Sequence, residues 1–202
     1  MPNWCNNTLR VTGNLEQLKE FISKATTPAD HNHPDDIAFT LEGLYPTPPE
    51  LMRENAFDQS ENSEALTEKY GASDWYTWRV SNWGTKWDVT ESCIIDNEDT
   101  EFAVSFDSAW SPPSPWLEYI APQFPDLKFK MTYQEPGMGY CGVATWDSEN
   151  GFDSEDGELE YMDDDGNPVE YDGDAGKWKN IETGECIDEE YFYPTEYNIY
   201  EE

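Results

Sequence analysis

Three short stretches spell patterns that can carry chemistry. Gly137-Met-Gly139-Tyr-Cys-Gly142 has the spacing G-x-G-x-x-G, which in a dinucleotide fold brings backbone amides against a pyrophosphate. Such a loop must follow a parallel strand and open a helix, whereas Ala144-Thr-Trp146 continues here as a strand pattern. The glycines therefore predict a hairpin or bulge with unusual backbone angles. His31-Asn-His33 sits in a polar, proline-bearing connection without the strand-strand-metal context of a nuclease, and reads as two surface histidines. Asp163-Asp-Asp165-Gly166 suggests a calcium loop, but taking Gly166 as its sixth position puts Tyr161 where the first aspartate is needed.

Cys5, Cys93, Cys141 and Cys186 are scattered and form no C-x-x-C pair, so neither a zinc knuckle nor a disulfide scaffold is expected. The motifs of P-loops, serine hydrolases and zinc proteases are missing too. These observations predict a non-enzymatic protein without metal or cofactor.

Charge is the strongest signal. Eleven Lys and Arg stand against 44 Asp and Glu, a net charge of −33. Affinity for duplex DNA comes mainly from basic side chains that displace counterions, so direct duplex binding is not expected. Residues 147–202 hold 21 of the acids and two of the bases, a density of net charge more than three times that of residues 1–146. Aromatic residues make up 15% of the chain, too many for an ordinary disordered acidic protein. Tyr161, Tyr171 and Trp178, with turn signals at Asp165-Gly166 and Asp172-Gly173, predict a β-rich acidic extension. Its candidate partner-binding carboxylates are Asp153, Glu155, Asp156, Glu158, Glu160, Asp163, Asp164, Asp165, Glu170, Asp172 and Asp174.

The elements that must carry these groups follow from periodicity. Thr8–Thr12 alternates as a strand, and Asn14 can cap a helix whose Leu15, Leu18, Phe21 and Ile22 share a face. Residues 25–36 read as a connection, 37–41 as a short strand, and 44–72 as an insertion with a helix at 63–70. Asp74–Asp88 holds four tryptophans. It predicts a short helix capped by Ser73 or Asp74, ended by a left-handed Gly84, with Trp75, Trp78, Trp83 and Trp87 forming a structural aromatic corner.

Trp87, Val89, Glu91 and Cys93 then alternate against Phe102, Val104 and Phe106 as a hairpin turning at 96–99. Ser114 as cap and Pro115 at the first helical position open a helix that Pro122 and Pro125 end, and Leu127, Phe129, Met131 and Tyr133 form the next strand. The order β, α, insertion, β, β, α, β predicts an α+β fold, a ferredoxin-like split βαβ sandwich with two helices on one face of an antiparallel sheet. Residues 1–146 would form this domain and 147–202 the extension.

Four separated blocks, Met1–Asn7, Asn82–Asp88, Ser108–Pro113 and Tyr133–Gly137 with Cys141-Gly142, resemble the YubB-like ferredoxin-like proteins of phages and plasmids. The resemblance implies the fold and a mobile-element setting, and carries over no catalytic residue.

Two recognition functions are then expected. In the first, the acidic extension imitates nucleic-acid phosphates and binds a basic host protein, such as a restriction or CRISPR component. In the alternative, Phe102, Phe106, Phe129 and Tyr133 stack single-stranded bases on the sheet. A basic leader followed by an apolar segment is not seen, nor a long apolar run, so a soluble protein of the host cytoplasm is expected, with no membrane partner. An exposed sheet edge would allow a homodimer.

Overall fold

The central strand of the molecule, β1 (Trp4–Gly13), turns directly into α1 (Leu15–Ala25). Asn14 makes that turn as a cap, its side chain accepting from the amides of Glu16 and Gln17. The computed structural model describes residues 3–30, 33–52, 63–163, 165–172, 177–187 and 193–194. After α1 come β2 (Thr26–Asp30) and β3 (His33–Phe39), which pair as a two-stranded hairpin. Apart from Ala25, which ends α1, the expected polar connection at 25–36 is therefore strand in its described part. Its mixture of Thr, Pro and acidic residues hides a hairpin that makes a separate ribbon from the main sheet.

Next follow α2 (Ser63–Tyr70) and α3 (Trp75–Asn82), then β4 (Thr90–Asn97), β5 (Glu101–Ala109), α4 (Ser114–Ile120), β6 (Leu127–Glu135), β7 (Tyr140–Asp147) and β8 (Gly151–Glu158). The main sheet has the order β4-β5-β1-β6-β7-β8 with every neighbouring pair antiparallel. Its first four strands are the split βαβ arrangement, with β5 and β1 in the middle and β4 and β6 flanking them. β8 lies beyond the division at 146 drawn from charge, yet it extends this same sheet by pairing Phe152 with Trp146 and Glu158 with Tyr140.

Register fixes the two faces. Leu9 stands between Val104 and Met131, and Val11 between Phe102 and Phe129. These side chains are fully or almost fully buried on the helix side. There Phe21 of α1 meets Phe102, Phe124 and Phe129 edge-on at 5.5–6.0 Å, and Trp116 of α4 meets Phe39 at 5.8 Å. Thr8, Arg10, Thr12, Lys128, Lys130 and Thr132 alternate with them on the other face, which is polar.

Two local expectations shift. Ser114 is the first helical residue instead of the cap, the cap position falling on Pro113 with no side-chain bond. The alternation through Trp87–Cys93 is interrupted, because Glu91 adopts φ +51° and β4 pairs with β5 through two register shifts. Beyond β8, short strands β9 (Tyr161–Met162), β10 (Pro168–Asp172), β11 (Lys177–Asn180), β12 (Cys186–Ile187) and β13 (Tyr193–Pro194) form a second sheet. It is tied to the β6–β7 turn by Leu159 N donating to Gly139 O (2.7 Å) and the Tyr161 hydroxyl donating to Pro136 O (2.7 Å).

Among the described residues, no helix is long and apolar enough to cross a membrane.

Candidate binding site

Four stretches far apart in the chain meet at one end of the main sheet, where β1 begins and β5 and β6 end. Asn7, 3% exposed, donates its amide to Cys5 O (2.8 Å), Phe106 O (3.2 Å) and Ser108 Oγ (2.9 Å). Ser108 in turn donates to Ser111 O (2.8 Å), and Ser111 donates to Gly84 O (2.5 Å). Thr85 Oγ1 both donates to and accepts from the backbone of Ala109 at 3.0 Å. Glu135, 1% exposed, accepts from Gly137 N (2.8 Å) and Asn3 Nδ2 (3.4 Å). Each of these buried side chains is thus answered, as it must be where unpaired desolvation would cost more than the bond returns.

This network supports an unusual residue. Trp110 has φ +74°, a left-handed conformation that a bulky side chain rarely adopts. Its amide donates to Asn3 O (3.0 Å) and its carbonyl accepts from the Tyr140 hydroxyl (2.8 Å). The indole is left 48% exposed. The nearby Cys5 thiol has its pKa pushed up to about 12, chiefly by burial, while hydrogen bonds with Tyr140 and Ser108 pull the other way. At neutral pH it is a thiol and not a nucleophilic thiolate.

A groove of about 490 Å3 opens beside this network, lined by Ser111, Pro112, Ser114 and Pro115 on one wall and Tyr133, Tyr140, Ser154 and Asp156 on the other. Its geometry depends on Gly142. A Cβ there would stand 2.6 Å from the Tyr133 hydroxyl, so only glycine lets that ring cross β7 and donate to the Asp156 carboxylate on β8. Burial, followed by the bond to Asp156, raises the Tyr133 pKa. Burial, followed by the neighbouring Cys5, raises that of Tyr140. Both phenols stay protonated.

The carboxylates expected from sequence to bind a partner are not one cluster. Asp153, Glu155, Asp156 and Glu158 are exposed along the edge strand β8, with Asp153 and Glu155 on the polar face and Asp156 and Glu158 on the helix side. Glu160 is exposed just after it. Asp163 is occupied locally, accepting from the amides of Asp165 and Asn167 and from Asn167 Nδ2 to make a turn. Those bonds, the Asn167 side chain's first, lower its pKa. Glu170 and Asp172 share Lys179, at 3.1 and 3.6 Å. Asp165 is exposed, while Asp164 and Asp174 lie outside the described residues. Among the described residues no three His, Cys, Asp or Glu side chains gather to hold a metal ion. His31 is outside the described residues.

The aromatic corner divides. Trp83 and Trp78 are 0% and 4% exposed and meet edge-on at 6.1 Å. The Arg79 guanidinium lies 4.5 Å over Trp83 and 5.5 Å over the half-buried Trp75. Trp87 packs apart from this pair, 6.4 Å from Trp4, with Lys86 4.5 Å over its ring.

The four rings expected to stack bases are in the core. Phe102, Phe106, Phe129 and Tyr133 are 0–5% exposed on the helix side, which removes them as a base-stacking platform. Alternation alone could not tell which face the helices would cover. The site itself could have been noticed in sequence, because its members are the same four blocks that carry the family resemblance.

Comparison of the whole chain with curated proteins gives no match. Among solved structures it is similar to a protein Api92 from Yersinia pseudotuberculosis, with 12% identity and a TM-score of 0.48 over 78% of this chain and 98% of that one. Residues 82–174, running from the aromatic corner through β10, match the family model described as the ferredoxin-like domain in Api92-like proteins.

Proposed function

We propose that this is a non-enzymatic binding protein that takes a basic protein surface along its acidic edge, presenting carboxylates where a nucleic acid would present phosphates. The observation that carries the reading is the edge strand β8, on which Asp153, Glu155, Asp156 and Glu158 are all exposed. A strand spaces same-face side chains by about 6.6 Å, so these acids stand at regular intervals on both sides of a sheet edge. The Glu170 and Asp172 carboxylates of the short sheet after β8 are shared with Lys179 and add less. A surface of this sign speeds encounter with basic proteins and repels nucleic acid itself.

Nucleic-acid-binding proteins are the partner class that offers such a basic groove. The mobile-element setting implied by the sequence resemblance would make a host defence factor, a restriction or CRISPR component, the natural target. That last step rests on the resemblance alone.

The test is capture of partners from host lysate by the full chain and by a variant carrying Asp153→Asn, Glu155→Gln, Asp156→Asn and Glu158→Gln. A partner held by the native chain, lost with the variant and displaced by duplex DNA supports the reading. Equal capture by both, unaffected by DNA or salt, overturns it.

A further inference from the structure

We propose that the groove between β8 and the Ser111–Pro115 turn receives an arginine side chain of the basic partner, with Asp156 as its carboxylate and the half-buried ring of Tyr140 as its aromatic wall. This rests on the acidic-edge reading and says where along that edge recognition is specific.

The groove has the chemistry of a cation site. Among the described residues that line it Asp156 is the charged one, and the other polar side chains are the hydroxyls of three serines and two tyrosines. Tyr133 donates to Asp156 Oδ1 and so fixes the carboxylate's orientation, leaving Oδ2 for a ligand. The Tyr140 ring, half-buried and set at 67° to the buried Tyr133 ring with centroids 6.5 Å apart, is the aromatic surface of the groove. A guanidinium is planar, stacks on such a face and bonds a carboxylate through two parallel donors. An ammonium is a strongly hydrated point charge and uses only the charge. The absence of a side chain at Gly142 leaves the room that the Tyr133 hydroxyl fills on its way to Asp156.

The edge also holds carboxylates that make no such site. Asp153, three residues earlier on the same strand, points to the opposite, polar face. It therefore serves as a charge-matched control.

The experiment titrates the full chain by calorimetry, at near-physiological salt, with an arginine-rich peptide and a lysine-rich peptide of equal length and charge. Asp156→Asn keeps an oxygen to accept from Tyr133, so the fold should hold, and near-ultraviolet circular dichroism checks it. The expected result is tighter binding of the arginine peptide, weakened about tenfold by Asp156→Asn and about twofold or less by Asp153→Asn. Shifts of the Tyr133 and Tyr140 ring protons should accompany binding. Equal effects of the two variants would overturn the groove and leave the acidic edge standing. An Asp156→Asn effect of the same size for both peptides would overturn the arginine assignment. If neither peptide binds, the acidic-edge reading falls together with it.

Discussion

The Tyr140 hydroxyl donates to the carbonyl of Trp110 at 2.8 Å, tying the start of β7 to the left-handed residue that ends β5. Removing that hydroxyl by Tyr140→Phe should cost about 1 kcal/mol of stability in urea unfolding. Trp110→Gly should act in the opposite direction on the backbone, relieving about 1 kcal/mol of conformational strain. Trp110→Ala keeps the strain and loses the indole. If the glycine variant is no more stable than the alanine one, the left-handed geometry is not strained in solution.

Trp83 is fully buried, donates Nε1 to Tyr45 O at 2.9 Å and lies beneath Arg79. Trp83→Ala is expected to lose about 3–5 kcal/mol, the cost of emptying a core aromatic. Trp87 is only half-buried, and its replacement by alanine should lose only about 1 kcal/mol. Thermal melts of the two variants should separate clearly. A shared melting temperature would mean that the corner is uniform.

Gly142→Ala places a methyl 2.5 Å from Glu155 O and 2.6 Å from the Tyr133 hydroxyl. Because one of those atoms is backbone of β8, the strain cannot be relieved by a rotamer change alone. The variant should be destabilised by about 1–3 kcal/mol. Hydrogen exchange should then accelerate in β8 before it does in β1.

The thiols should separate by reactivity. Cys93 and Cys186 are exposed, and Cys5 and Cys141 are buried with raised pKa values. Iodoacetamide at mildly alkaline pH should modify the first two in the folded protein and all four in urea, as peptide mass spectrometry would read.

The same shifts give a pH dependence. Cys5, Tyr133 and Tyr140 keep their protons in the folded state at pH values where the unfolded chain releases them. The native state then binds more protons, so stability must fall as pH rises from the unfolded thiol range, near 9, upward. Flat stability from about pH 8 to 11 would contradict the burial of this cluster.

Much of the fold was legible because local signals and the final structure agree. Asn14 before Leu15 announces α1, and the alternation of Leu127, Phe129, Met131 and Tyr133 announces β6, since one face of each element is buried against a single core. The β2–β3 hairpin was missed because its residues lack that one-sided pattern. The β4 register was misread because Glu91 bends a strand whose letters still alternate. The acidic residues were visible as a total, but which face each occupies depends on β8 joining β7, a pairing that charge count does not encode. The groove was least legible. Tyr133 and Asp156 meet only because Gly142 lies between them on a third strand.

The position of β1 also governs how the chain can fold. This central strand is synthesised before both of its neighbours: Leu9 faces Val104 on one side and Met131 on the other. Until β5 has emerged from the ribosome, β1 has α1 beside it and no strand of the main sheet to pair with. A topology so dominated by distant pairings folds slowly, with loop closure preceding any stabilising contact. During that interval the acids of the emerged segment, which already outnumber its bases, keep nascent chains apart by mutual repulsion, a benefit that needs no partner.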